Sequence, residues 1–202
     1  MFTRTDLRKV VRYRRQQLTT QQQKQASESF KQRLIKHDKV HKAKRIALYL
    51  ANDSELDAID FIHWCWQQNK EVYLPVLHPF CSGHLLFLRY QQETVMTKNK
   101  YGILEPLLDV TQVCPVNQLE LLFTPLVAFD NKGSRLGMGG GFYDRTLASW
   151  YKEKITSAIK ITTNKLYPIG IAHDCQQVEI IPVEVWDIPL PEIITPSKTY
   201  YF

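Results

Sequence analysis

The chain has 202 residues, 44% of them hydrophobic, so it can bury a sizeable core and fits one domain or at most two small ones. A formal charge of +6 suits polyanionic ligands, whether nucleotides, polyglutamate tails, nucleic acid or anionic membrane, and does not choose among them. The four cysteines are scattered without a Cys-x-x-Cys pair and read as reduced thiols, and no stretch has the length of a membrane span or the apolar core of a secretory signal. Over residues 5–17, Leu7, Val10, Val11 and Leu18 lie at helical spacing beneath a basic face, which predicts a docked helix. The arginine-rich start is also the composition of a mitochondrial presequence, the less favoured reading. Thr20 and Gln23 have capping-box spacing, and Ala26, Phe30 and Leu34 carry a second helix to about residue 37. Residues 46–50 form a short apolar run suited to a buried parallel strand, ended by Asn52, Asp53 and Ser54. A helix through Ile59, Ile62 and Trp66 and a strand at 72–75 complete a βαβ unit. An edge strand is expected at 85–90, and the strongest apolar run, 119–129, leads into a glycine cluster. A helix follows from Phe142 to about residue 154, with further strands at 169–172 and 192–195. One α/β domain over residues 1–202 is the simplest reading, since no repeat, linker or low-complexity tract divides the chain.

The most informative stretch is Arg135-Leu136-Gly137-Met138-Gly139-Gly140-Gly141-Phe142-Tyr143-Asp144. Glycines after a buried strand let backbone N–H groups approach phosphate, and the positive end of the next helix adds to such a site. Arg135 would supply a charge-assisted donor, while Asp144 would face Mg²⁺. Neither the P-loop nor the dinucleotide fingerprint is matched: no Gly-Lys-Ser or Gly-Lys-Thr follows, and Phe142 stands where the third fingerprint glycine belongs. The bland reading is a tight turn packing helix on sheet; four glycines flanked by Arg135 and Asp144 favour anion binding.

This stretch, with Pro125 to Asp130 before it and Arg145 after it, resembles the signature of the 5-formyltetrahydrofolate cyclo-ligase family, also called 5,10-methenyltetrahydrofolate synthetase. Arg4 and Arg8, Asp53-Ser54-Glu55, the run from Tyr101 to Pro106, Ile181-Pro182 and Trp186-Asp187 extend the likeness over nearly the whole chain. The resemblance implies a three-layer α/β/α fold with a mostly parallel central sheet, basic N-terminal helices at residues 5–37 packed on it, and an ATP- and Mg²⁺-dependent enzyme. That enzyme would convert 5-formyltetrahydrofolate to 5,10-methenyltetrahydrofolate, releasing ADP and phosphate. Transferred residue by residue, the resemblance gives ATP to Arg4, Thr5, Asp6, Leu7 and Arg8 and to the loop from Arg135 to Tyr143. It gives catalysis to Arg135 and Tyr143, and folate to Leu50, Glu55, Tyr101 and the run Met138 to Phe142. Glu55 would meet the pterin's donor edge and Tyr101 would form an aromatic wall. Asp144 is the matching Mg²⁺ position, with Asp187 as a second candidate because Pro191 stands where relatives can carry an acidic ligand. Phe142 replaces a frequent tyrosine. The alignment from Arg4 leaves no room for a cleaved presequence, so a cytoplasmic monomer without specific nucleic-acid or membrane partners is expected.

The chemistry asks for these residue types. A formamide carbon is a poor electrophile until its oxygen is phosphorylated; the neighbouring nitrogen then closes the ring and phosphate leaves. Such a reaction needs in-line placement and positive charge around the transferring group more than acid or base side chains. A nucleic-acid-binding protein using the basic excess and aromatics, and a sugar-phosphate or coenzyme A enzyme on a similar scaffold, are the competing classes. His63, Cys65, His173 and Cys175 lack the ligand pairing of a zinc site, and Trp64, Trp66, Trp150 and Trp186 are expected to be packing residues, with a place at the border of the site as the alternative for Trp186. Glu105 is open between capping a turn and facing the pocket.

Overall fold

The computed structural model describes residues 2–156 and 165–202. Two capped helices open the fold. Helix α1 (Arg4–Gln16) starts at Thr3, whose side chain and that of Asp6 satisfy each other's backbone N–H groups. Helix α2 (Thr20–Leu34) is capped in the same way by Thr19 and Gln22, one residue earlier than the Thr20 and Gln23 spacing suggests. It ends at Leu34 rather than near His37, because His37 caps a further short helix, α3 (Asp38–Lys42), by accepting from the Lys39 N–H.

Eight strands form the main sheet. In chain order they are β1 (Arg45–Ala47), β2 (Glu71–Leu77), β3 (Leu85–Tyr90), β6 (Val113–Cys114), β7 (Leu121–Pro125), β10 (Tyr167–Ile171), β11 (Glu192–Ile194) and β12 (Thr199–Tyr201). Two hairpins stand apart: β4 (Met96–Lys98) with β5 (Leu104–Pro106), and β8 (Ala128–Phe129) with β9 (Arg135–Leu136). The spatial order is β12-β11-β10-β7-β1-β2-β3-β6, with β11, β10, β7, β1 and β2 mutually parallel and antiparallel pairing at β12–β11, β2–β3 and β3–β6. The expected edge strand, β3, is therefore covered by β6, a two-residue strand too short to read from sequence.

Alternation along each strand sorts side chains to two faces. Ile46, Val72, Leu74, Leu121, Phe123, Ile169 and Ile194 meet α2, α3 and α4 (Ile59–Gln67) through Phe30, Leu34, Val40, Phe61 and Ile62. Ala47, Tyr73, Leu122 and Ile193 face the other way, against Leu147 and Trp150 of α5 (Phe142–Thr156). The result is the three-layer α/β/α arrangement with a mostly parallel sheet. Each fully buried Phe or Leu in these layers contributes about 1.5–3 kcal/mol. Helix α1 packs separately, placing Leu7 and Val11 on Val127, Ala128 and Leu136 of the β8–β9 hairpin.

Candidate active site

Winding of the sheet reverses at β1: β2 is added on one side, while β7, β10 and β11 lie on the other. Such a reversal opens a crevice at the carboxyl ends of the strands, where ligands of open α/β sheets gather. Here it holds a cavity of about 520 Å³. Tyr49, Leu50, Asp53 and Glu55 enter it from the loop after β1, Pro75 and Leu77 from β2, and Tyr101 from the β4–β5 hairpin. The glycine loop contributes Gly137, Met138, Gly140 and Gly141, followed by Phe142, Tyr143 and Asp144 from the first turn of α5. The Tyr101 and Phe142 rings meet edge to face with centroids 6.3 Å apart.

The loop does not follow the central strand directly, as the apolar run implied. The β8–β9 hairpin stands between β7 and the glycines, and its fully buried Leu136 packs in the α1 cluster instead of facing a ligand. Gly139 has φ +100°, a conformation that L side chains rarely adopt, so the turn needs glycine there. A Cβ on it would lie 3.6 Å from an Arg8 guanidinium nitrogen. Arg8 Nε donates to the Gly137 carbonyl at 2.8 Å, and Arg145 donates to the Gly140 carbonyl. The loop is thus held between the cavity and the basic face of α1.

Charge is arranged in pairs around this loop. Arg135 is buried and donates to Asp144 Oδ1 at 2.7 Å, which also accepts from the Ile188 N–H at 3.3 Å. Burial lowers the Arg135 pKa, and Asp144 and Asp187 oppose that; Arg135 Nε has no partner among the described residues. Arg4 makes a two-pronged pair with Asp187 and donates to the Pro182 carbonyl at 3.1 Å. Burial works to raise the Asp187 carboxyl, but the Arg4 hydrogen bond and charge outweigh it and leave its pKa low. Glu55 accepts from the Asn52 N–H at 3.1 Å, and burial lifts its carboxyl from 4.5 to about 7. Tyr143 sits within the electrostatic reach of both Glu55 and Arg135, and burial raises its phenol.

Leu50, Glu55, Tyr101, Arg135, Gly137, Met138, Gly140, Gly141, Phe142, Tyr143 and Asp144 are therefore brought together, while Gly139 lies outside the lining, against Arg8. Arg4, Arg8 and Asp187 lie beyond the loop, outside the cavity lining. Of the remaining residues assigned to ATP, Thr5 is exposed, the Asp6 side chain is committed to the Thr3 cap, and Leu7 is buried against Val127 and Leu136. Those last two assignments fit a structural role in seating α1. Glu105 both faces the cavity and organises it: its Oε2 accepts from the Leu77 N–H at 3.1 Å and from Asn99 Nδ2 at 3.0 Å. Trp64, Trp66 and Trp150 pack as expected, but Trp186 is 63% exposed and is not a packing residue.

The motifs assign no role to two residues, Asp53, which stands within Asp53-Ser54-Glu55, and Arg15. Asp53, with φ +49°, collects Arg12 Nε at 2.7 Å, Arg15 Nη2 at 2.8 Å and Gln16 Nε2 at 2.7 Å. Arg15 is fully buried and lines the cavity. The sequence signal was its spacing: Leu7, Val11 and Arg15 fall at i, i+4 and i+8, on the inward stripe of α1.

A charged loop and a partly apolar cavity at the switch point of a parallel sheet define an α/β enzyme for a small molecule rather than a nucleic-acid binder. The profile of the 5-formyltetrahydrofolate cyclo-ligase family matches residues 2–196, and the chain belongs to that family. A 5-formyltetrahydrofolate cyclo-ligase of Haemophilus influenzae is 49% identical over 191 residues, covering 95% of this chain and 94% of that protein. One from Escherichia coli K12 is 47% identical over 191 residues, covering 95% and 99%. Among solved structures, the 5,10-methenyltetrahydrofolate synthetase of Aquifex aeolicus superposes with a TM-score of 0.79 at 26% identity, covering 98% of this chain and 92% of that one. No helix among the described residues is long and apolar enough to cross a membrane.

Proposed function

We propose that this enzyme uses ATP and Mg²⁺ to convert 5-formyltetrahydrofolate to 5,10-methenyltetrahydrofolate, releasing ADP and phosphate. The observation that carries the reading is that Glu55 and the glycine loop line one cavity, so a pterin held at the first would extend toward phosphate-binding groups at the second.

The residues suit both ligands. Arg135 Nε is a buried donor without a partner, and a Cβ at Gly137 would meet nothing within 4 Å, which leaves room for close approach to the backbone. Arg4, Arg8 and Arg135 would hold the triphosphate. Asp144 and Asp187 are hard oxygen donors; Mg²⁺ commonly takes one or two carboxylates together with substrate phosphates, so no all-protein cage is required. Among the described residues no group of three or more His, Cys, Asp or Glu side chains is placed to form such a cage. Bound ATP supplies the phosphoryl group that turns the formyl oxygen into a leaving group. Glu55 holds the donor edge of the pterin, Leu50 and Tyr101 bound the ring, and Met138 to Phe142 close over it and exclude water. Arg135 holds positive charge where negative charge gathers, with Tyr143 beside it.

The test is direct. Purified protein with 5-formyltetrahydrofolate, ATP and Mg²⁺ should show the near-ultraviolet absorbance of the methenyl product, and omitting ATP should leave the spectrum flat. Asp144→Asn keeps an acceptor for Arg135 but removes the charge, and should lower turnover on the order of 10²-fold with the fold retained by circular dichroism. Product formation without ATP, or a wild-type rate in Asp144→Asn, would contradict the proposal.

A further inference from the structure

Arg15 is a fully buried cation in the wall of the cavity, and the ion pair with Asp53 engages just one of its nitrogens. Its Nε and Nη1 are buried and have no hydrogen-bond partner among the described residues. Desolvated guanidinium donors left unmet are costly, and a guanidinium can only donate. Asp53 cannot turn to satisfy them, because Arg12 Nε shares its Oδ2 and Gln16 holds its Oδ1. His173 is buried beside Arg15 with its own Nε2 unpartnered, yet no hydrogen bond joins the two among the described residues. The unmet donors call for an acceptor that arrives with the ligand.

Glu55 shows which part of the ligand that is. It lines the same cavity and feels the Arg15 charge, so a carboxyl that only accepts once ionised and a donor-only group stand in one wall. A 2-amino-4-oxopyrimidine carries along one edge an exocyclic amino group, a ring N–H and then a carbonyl oxygen: two donors followed by an acceptor. We propose that Arg15 is a specificity residue that receives the 4-oxo oxygen of the pterin while Glu55 takes the neighbouring amino and ring N–H groups. This rests on the folate reading above and adds to it the choice between ring types. A 4-amino ring reverses the pattern at that corner, placing an N–H group against a cation that cannot accept.

Calorimetric titration of the wild-type enzyme with 5-formyltetrahydrofolate and with its 4-amino counterpart tests the assignment. The 4-oxo ligand should bind more tightly, and Arg15→Met should narrow that preference roughly 10- to 100-fold, the worth of a hydrogen bond to a charged group. A merely structural arginine would weaken both ligands alike and leave their ratio unchanged, and that result would overturn the proposal. Should Arg15→Met fail to fold because Asp53 loses a partner, Arg15→Met combined with Asp53→Asn removes both charges; Asn tolerates the left-handed backbone found at position 53. Equal binding of the two ligands by the wild-type protein overturns the assignment without any variant. If the wild type binds neither folate, the folate reading itself falls and this assignment falls with it.

Discussion

At the scale of single residues, Glu55 is the group whose behaviour the surroundings change most usefully. Its carboxyl titrates near 7 because the cavity wall disfavours the charge. The folded-state pKa lies above the unfolded one, so the stability it contributes is complete below 4.5 and is lost as pH rises through about 7. With Glu55 in its proposed role, folate binding should run the other way, since the donor edge of a pterin prefers the ionised carboxylate. At pH 6 affinity should be about tenfold below its plateau above pH 8, and Glu55→Gln should flatten that profile; a titration across pH 5.5–8.5 reads both effects. An unchanged slope in the variant would assign the dependence to another group. Glu55 was legible because it follows the first parallel strand within a recognisable motif. Arg15 was not, because a basic residue in a basic helix reads as solvated surface until packing shows which way the helix is turned.

At the scale of elements, the glycine loop is set by what touches it from outside. Gly133, in the β8–β9 turn, has φ +78°, and a Cβ there would fall 2.7 Å from the Leu190 carbonyl oxygen, a backbone atom that cannot swing aside. Gly137 meets nothing. Gly133→Ala should therefore lower the melting temperature by several degrees while leaving the KM for ATP near wild type. Gly137→Ala should melt within about 2 °C of wild type, as an unhindered substitution does, yet raise that KM if phosphate lies against its N–H. Melting curves and initial rates on the two variants separate fold from function, and matching phenotypes would deny Gly137 any role in binding. The apolar runs that become β2 and β7 could be read from sequence, as could helices α1, α2, α4 and α5, while the five-residue α3 could not. The hairpin strands β4, β5, β8 and β9 and the outer strands β6 and β12 could not: each has two or three residues, too few for alternation to register, and exists because a neighbouring strand supplies its hydrogen bonds.

At the scale of the whole molecule, groups remote in sequence meet around the glycine turn: α1 through Arg8, the loop after β1 across the cavity, and the segment around Asp187 through the Ile188 N–H on Asp144. A ligand that binds only this assembled arrangement stabilises all of it. With MgATP at 100 times its dissociation constant the gain is about 2.7 kcal/mol, which for a chain of this size raises the melting temperature by about 5–10 °C. Arg4→Ala combined with Arg8→Ala should abolish most of that shift in differential scanning fluorimetry. A full shift in the double variant would remove both arginines from the nucleotide site.

The pairing of Arg4 with Pro182 and Asp187 spans 178 and 183 positions, nearly the length of the polypeptide. The clasp therefore couples the first turn of α1 to the segment around Asp187, so that loosening one of them loosens the other.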